Sequence, residues 1–206
     1  MPERLADDSE PGAARGARLF RGGLAVRDLS LHLLDIIENS IRAGASTIVV
    51  TVAECPESDI LELTVEDDGA GLSVPSEAAA DPFYTTKAGK RVGLGLSLLR
   101  AAAEQAGGKL TITASKLGGV AVKATMWLSH IDRAPLGDLA ATLSSIVCTN
   151  PDLDLSCRFC VGSRECVVRA SDVINELPFG ERCGLAVARR VSERIKAGLA
   201  AISATA

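Results

Sequence analysis

Three short segments hold residues able to do chemistry. In the first, Asp35 and Asn39 stand four residues apart. On a helix that spacing puts both side chains on one face, one turn from each other. Two oxygen-bearing groups so placed can hold Mg²⁺ and a water, and the carboxylate can act as base for that water. The same pair also suits a solvated helix face. The second segment is Asp67-Asp68-Gly69-Ala70-Gly71, at the end of a strand-like run. Glycine lets backbone come close to a ligand. A buried carboxylate at a strand end can accept a hydrogen bond from an amino group such as the exocyclic amine of adenine. A tight acidic turn has the same composition. The third is Gly93-Leu94-Gly95-Leu96, preceded by Lys87, Lys90 and Arg91. A glycine-rich helix start offers free N–H groups and a positive dipole end to phosphate. It is not the P-loop, which needs Gly-Lys-Ser/Thr. Nor does it follow a strand, as the dinucleotide fingerprint requires.

The thiols form a fourth candidate. Cys55 lies alone in the first 147 residues, while Cys148, Cys157, Cys160, Cys166 and Cys183 crowd the C-terminal part. Several thiolates there can bind Zn²⁺ or an iron–sulfur cluster. A regular strand through LDLSCRFCV, however, puts Cys157 and Cys160 on opposite faces, and cysteine is also a common small buried residue. His32 falls inside the first helix and reads as a packed residue. His130 precedes Ile131-Asp132-Arg133, unlike a phospho-accepting helix.

These residues need elements to position them. Leu33, Ile36, Ile37 and Ile41 recur at helical spacing, so 28–43 is a helix, closed by Gly44. Residues 46–54 are β-branched and 60–66 alternate apolar with polar, so the two form a hairpin around a turn at 57–59. Residues 67–92 lack periodicity and read as a long functional loop. A helix covers 93–107, and a second hairpin, 109–115 with 120–128, turns at Gly118-Gly119. Beyond 130 the pattern gives a helix at 136–147, strands at 153–161 and 164–170, and a helix at 184–200. Residues 1–26 lack periodicity and read as a disordered tail.

Composition removes several classes. With 206 residues the chain can bury one core plus an appendage. The net charge is -4, so the basic face that non-specific nucleic-acid binding needs is missing overall. No apolar run reaches the ~18–20 residues of a membrane span, and no secretory signal is visible. The expected setting is therefore cytoplasmic, with the cysteines as thiols, metal ligands or core filler rather than disulfides.

Taken in order, the segments resemble a known module. Helix with D…EN, ENSIRAGAS, two strands, DDGAG, DPFYTTK, GLGL helix and hairpin is similar to the ATP-binding module of gyrase B subunits, heat-shock chaperones, sensor histidine kinases and MutL proteins: the Bergerat or GHKL fold. ENSIRAGAS looks like the MutL branch, while DPFYTTK and GLGLSLL look like the histidine-kinase branch. The resemblance covers about residues 27–130. It implies that Asn39 coordinates Mg²⁺, Asp67 binds the adenine amine, and Gly69 and Gly71 bring backbone near the base. It implies a lid containing Lys87 and Arg91, and phosphate binding by Gly93, Leu94, Gly95 and Leu96. Asp35 stands where the hydrolysing branches place a catalytic Glu, one methylene longer. Glu38 lies about 100° round the helix from Asn39 and ranks below Asp35 as a base. Arg91 replaces the first glycine of the kinase-type run. The threonine of the last strands is not clear: Val120 falls near it, and Thr125 is a weak substitute.

The resemblance implies an α/β two-layer sandwich, with a mixed sheet covered on one face by the 28–43 and 93–107 helices. ATP and Mg²⁺ would lie between those helices under a 72–92 lid. The expected organisation is a tail at 1–26, an ATP-binding domain at 27–130 and a Cys-containing α/β extension at 131–206. From residue 129, the run SHIDRAPLGDLAATLSSIVCTNPDLDL resembles part of the stand-alone ATP-binding proteins found beside iron-hydrogenase and related redox genes. The expected function is a stand-alone cytoplasmic ATP–Mg-binding regulator with weak ATPase activity, or a kinase acting on a partner in trans. It would work without nucleic acid or membrane, and as a homodimer if it follows its fold. The alternative is a redox- or metal-responsive regulator that uses the C-terminal cysteines.

Overall fold

A computed structural model describes residues 28–71 and 94–203 of the chain; nothing of the Leu94 side chain is included. Helix α1 covers Leu29–Arg42. It begins where Asp28, an N-cap, accepts from the Leu31 N–H at 3.0 Å. Its buried stripe of Leu29, Leu33, Ile36 and Ile37 follows the helical period. Strand β1 runs Thr47–Cys55 and β2 runs Ile60–Asp67, joined by a one-turn 3₁₀ segment at Pro56–Ser58. In both strands alternate residues are buried. Helix α2 covers Leu94–Gln105 and leads into the antiparallel pair β3, Lys109–Ala114, and β4, Val120–Trp127.

The later part adds α3 at Leu139–Thr149, β5 at Asp154–Val161, β6 at Arg164–Arg169, α4 at Ala170–Glu176 and α5 at Gly184–Ser203. Helix α4 has no counterpart in the sequence reading. It is two turns long, too short to show a helical period, and it follows β6 with no intervening glycine or proline.

All six strands join one sheet in the order β3-β4-β2-β1-β5-β6. Four of the pairings are antiparallel, and β1 with β5 is parallel. The register aligns the apolar set across the sheet. Val50 stands opposite Val65 on one side and Cys157 on the other, and Val65 opposite Val122. All four side chains are buried. Their face is covered by helices, and the opposite face carries Thr51, Thr64, Lys123 and Arg158. The fold is thus a two-layer α/β sandwich with a mixed sheet and the helices on one side.

Strand β5 lies directly on β1, so the segment after 130 extends the sheet of the preceding segment. Core residues come from both: Leu33, Ile37 and Ile48 from the first, Leu143, Phe159 and Ile195 from the second. Each such side chain removed from water contributes about 1.5–3 kcal/mol. The link also reaches α1 through backbone. The Leu29 and Ser30 N–H groups, free by the geometry of a helix start, donate to the Pro135 and Leu136 carbonyls at 2.9 Å each.

Candidate nucleotide-binding site

The three chemistry-bearing segments meet at one end of the sandwich, as far as they are described. Between α1, α2 and the sheet lies an open cleft of about 170 Å³. Ile36, Asn39, Ser40 and Ala43 line it from α1, Asp67 from β2, Leu96 from α2, Ile112 from β3, and Val120 and Val122 from β4. An apolar slot with a few polar groups is the usual form of a small-molecule site.

Asp67 is its polar anchor. It ends β2 on the buried face and is only 4% exposed. Three donors hold its carboxylate. The Ser40 hydroxyl donates to Oδ2 at 2.6 Å, and the Gly69 and Val120 N–H groups donate to Oδ1 at 3.0 and 3.1 Å. Burial of such a group is tolerable only with partners of this kind. The Gly119 N–H donates to the Asp67 main-chain carbonyl at 3.0 Å. A side-chain carbon at Gly119 would overlap the Asp67 carboxylate, so only glycine lets β4 start this close.

Gly69 lies over the end of α1, where an added Cβ would be 3.2 Å from the Ala43 carbonyl oxygen. Gly71 has φ +75, a left-handed conformation that favours glycine. Beside them Asp68 ties the α1–β1 turn to the end of β2. Its carboxylate accepts from the Ser46 hydroxyl at 2.6 Å, the Ser46 N–H at 2.8 Å and the Thr47 N–H at 2.9 Å. Those bonds, the Ser46 hydroxyl first, lower its pKa from the ordinary 3.8 to about 2.

Asp35 and Asn39 lie along α1, as their spacing predicts. Asp35 packs under the first turn of α2: an added Cβ on Gly95 would sit 2.7 Å from the Asp35 Cβ and 3.3 Å from Oδ2. The Asp35 side chain thus lies against Gly95, near the described start of α2. Asn39 is half-buried at the cleft, and its Oδ1 accepts from the Arg42 guanidinium at 2.9 Å. Arg42 also pairs with Glu38.

The family model for histidine kinase-, DNA gyrase B- and HSP90-like ATPases matches residues 25–130. The chain belongs to this ATPase family. It is 34% identical over 101 residues to the sensor histidine kinase ZraS of Escherichia coli O157:H7, across 48% of this chain and 21% of that protein. It is 34% identical over 107 residues to the sensor protein kinase PilS of Pseudomonas aeruginosa, across 48% of this chain and 20% of that one. The matched part spans about one fifth of these curated relatives. Among solved structures, the Aquifex aeolicus MutL ATPase domain complexed with ADP is similar with TM-score 0.40 and 14% identity, over 68% of this chain and 62% of that one.

Within this ATPase-family fold, the cleft gathers Asn39, Asp67 and Leu96 in its lining. Gly69 and Gly71 follow Asp67 on the loop beyond β2, and Gly95 and Asp35 meet between the helices. Lys87, Arg91 and Gly93 lie outside the described residues, as do the tail and the 72–92 lid. Two contributors escaped the motif reading. Ser40 stands inside the ENS run, beside Asn39, but its bond to a residue 27 positions away has no local signature. Gly119 read only as a turn residue. Thr125 is no substitute for a site threonine: it lies on the uncovered face of β4, and its hydroxyl donates to the Lys109 carbonyl.

The cysteines do not converge. Cys157 is buried among the core, where desolvation pushes its pKa up to about 12. Cys160 is on the other face, and Cys166 shares the Cys157 face but packs against Gly198. Among the described residues no group of three or more His, Cys, Asp or Glu side chains is placed to hold a metal ion. His32 is buried within α1, and the His130 ring sits edge-on to Trp127 at 6.4 Å. Among the described residues no helix is long and apolar enough to cross a membrane.

Proposed function

We propose that the protein binds ATP with Mg²⁺ in the cleft beside Asp67 and uses it in a regulatory role, through weak ATPase activity or phosphoryl transfer to a partner protein. One observation carries this most: Asp67 is buried at the cleft, fixed by three donors and surrounded by apolar walls. An ionised carboxylate has acceptor capacity left after three bonds, and it faces space suited to a flat, largely apolar ring. Asp67 would take the adenine amine, with Ser40 and the Gly69 and Val120 amides keeping its oxygens in place. Ile36, Leu96 and Val122 would cover the ring faces and exclude water.

The residues present also fit the rest of the ligand. Asn39 offers an amide oxygen at the cleft, one helical turn from Asp35. Mg²⁺ prefers oxygen ligands and takes few from protein, completing its shell with water and phosphate. Asn39 would hold the ion, which when bound neutralises phosphate charge. Gly95 and Leu96 stand in the first turn of α2, where unpaired N–H groups favour phosphate. Gly93, Leu94, Lys87 and Arg91 would complete that contact. Gly71 would give the backbone its turn near the base. Asp35 would act as base toward a water or a partner hydroxyl.

The partner would be a protein accepting phosphate in trans or sensing the nucleotide state, and the protein would work as a homodimer. A cytoplasmic setting goes with this function, since ATP and reduced thiols are both kept there. Calorimetric titration with ADP and an ATP analogue, with Mg²⁺, tests the core of the proposal. Binding that is lost in Asp67→Asn supports it; no heat of binding, or equal binding in the variant, overturns it. Asp35→Ala should abolish turnover while sparing affinity. Equal turnover would remove Asp35 as the base.

A further inference from the structure

We propose that Arg42 is a positioning residue that latches the Asn39 amide and so sets how much Mg²⁺ the site needs. The proposal rests on the nucleotide reading above. Arg42 is the last residue of α1, three positions after Asn39 and four after Glu38. Its guanidinium spans both: one NH₂ group donates to Asn39 Oδ1 at 2.9 Å and the other pairs with the Glu38 carboxylate. Arginine is suited to this because its planar fork presents two donors at a fixed angle. Glu38 anchors the fork, and the second arm then falls on the amide oxygen.

That oxygen is the one metal-binding atom Asn39 has. An amide offers an oxygen acceptor and an NH₂ donor, and only the oxygen can ligate a cation. A guanidinium bonded to it stands where it repels a second positive charge, and it ties up one of the two lone pairs. Without metal, Arg42 fills the role of a cation on Asn39 and fixes the amide orientation. For Asn39 to hold Mg²⁺, the Arg42 arm would have to yield or share the oxygen. Arg42 therefore keeps the free amide ordered and raises the Mg²⁺ concentration at which the site fills. The bond is largely exposed, so its strength is that of a surface charge-assisted contact.

The test is calorimetric titration of ADP into the full chain at several Mg²⁺ concentrations and in chelator, with Arg42→Gln, Arg42→Lys and Asn39→Ala. Arg42→Gln should halve-saturate at about fivefold lower Mg²⁺, the fold-change of an exposed contact near 1 kcal/mol. Its ADP affinity in chelator should match wild type. Arg42→Lys, which keeps the charge with a single donor centre, should fall between. In the Asn39→Ala background the Arg42→Gln substitution should change nothing, because the latched oxygen is gone. An unchanged Mg²⁺ requirement in Arg42→Gln, with ADP binding intact, overturns the latch alone. So does an equal shift in the Asn39→Ala background, which would mark a general charge effect. Absence of ADP binding in wild type overturns the nucleotide reading, and the latch with it.

Discussion

The Ser40 hydroxyl donates a 2.6 Å hydrogen bond to Asp67 Oδ2 across 27 residues of chain, and both side chains are buried, at 5% and 4% exposure. Ser40→Ala leaves that oxygen without its donor, and a buried unsatisfied group of this kind costs about 1–3 kcal/mol. Where the loss falls on the bound state, adenine-nucleotide affinity drops about 5–150-fold. Ser40→Thr keeps a hydroxyl and should retain most of the affinity. Calorimetry on the three proteins measures this, and an unaltered Ser40→Ala would show that Asp67 is held by its backbone donors alone.

Gly95 sits against Asp35, and nothing larger fits. A Cβ there would be 2.7 Å from the Asp35 Cβ, too close for two carbons to stand. Gly95→Ala should force α1 and α2 apart and lower stability by about 1–3 kcal/mol, although alanine is the better helix former. Because the overlap is with Cβ, Asp35→Ala should not relieve it, whereas Asp35→Gly should recover part of the loss. Urea unfolding of the single and double variants reads the coupling.

Asp68 predicts an acid dependence. Its carboxyl is held at about 2, below its ordinary value of 3.8, by the Ser46 and Thr47 donors. A lowered folded value means that the group stabilises the fold when ionised. That contribution is complete above about pH 4 and is lost progressively as pH falls toward about 2. Asp68→Asn should remove it. The stability gap between wild type and variant, from urea unfolding at stepped pH, should be widest above pH 4 and close toward pH 2. A constant gap would assign the effect to shape rather than charge.

Truncation after residue 130 should fail to give a cooperatively folded domain. The cut would uncover the β1 edge that β5 now pairs, and strip Leu143, Phe159 and Ile195 from the core. Unpaired strand edges and bared apolar faces favour aggregation. Circular dichroism melting of residues 27–130 is the check. A sharp, reversible transition would show that residues 27–130 stand alone despite the shared sheet.

What the sequence determined by itself is local. The i, i+4 rhythm of Leu33, Ile37 and Ile41 and the alternation through 60–66 state helix and strand in neighbouring residues, because each pattern needs only one turn or two pleats to be written. The order ENSIRAGAS, DDGAG, GLGL was enough, through its resemblance to the Bergerat module, to name the fold and to single out Asn39, Asp67 and Gly95 as candidates. Helix α4 was too short to leave such a mark. Tertiary structure decided the relations between distant residues. It set β5 parallel to β1, which merged two apparent segments in one sheet. It brought Ser40 and the start of β4 onto Asp67, put Asp35 beneath Gly95, and turned Thr125 to the uncovered face. It also sent Cys157 and Cys166 to the covered face and Cys160 to the other, away from a common centre. The physical reason is the same in each case. Contacts across 27 to more than 100 residues depend on how whole elements bury their apolar faces together, and no short stretch of chain records that balance.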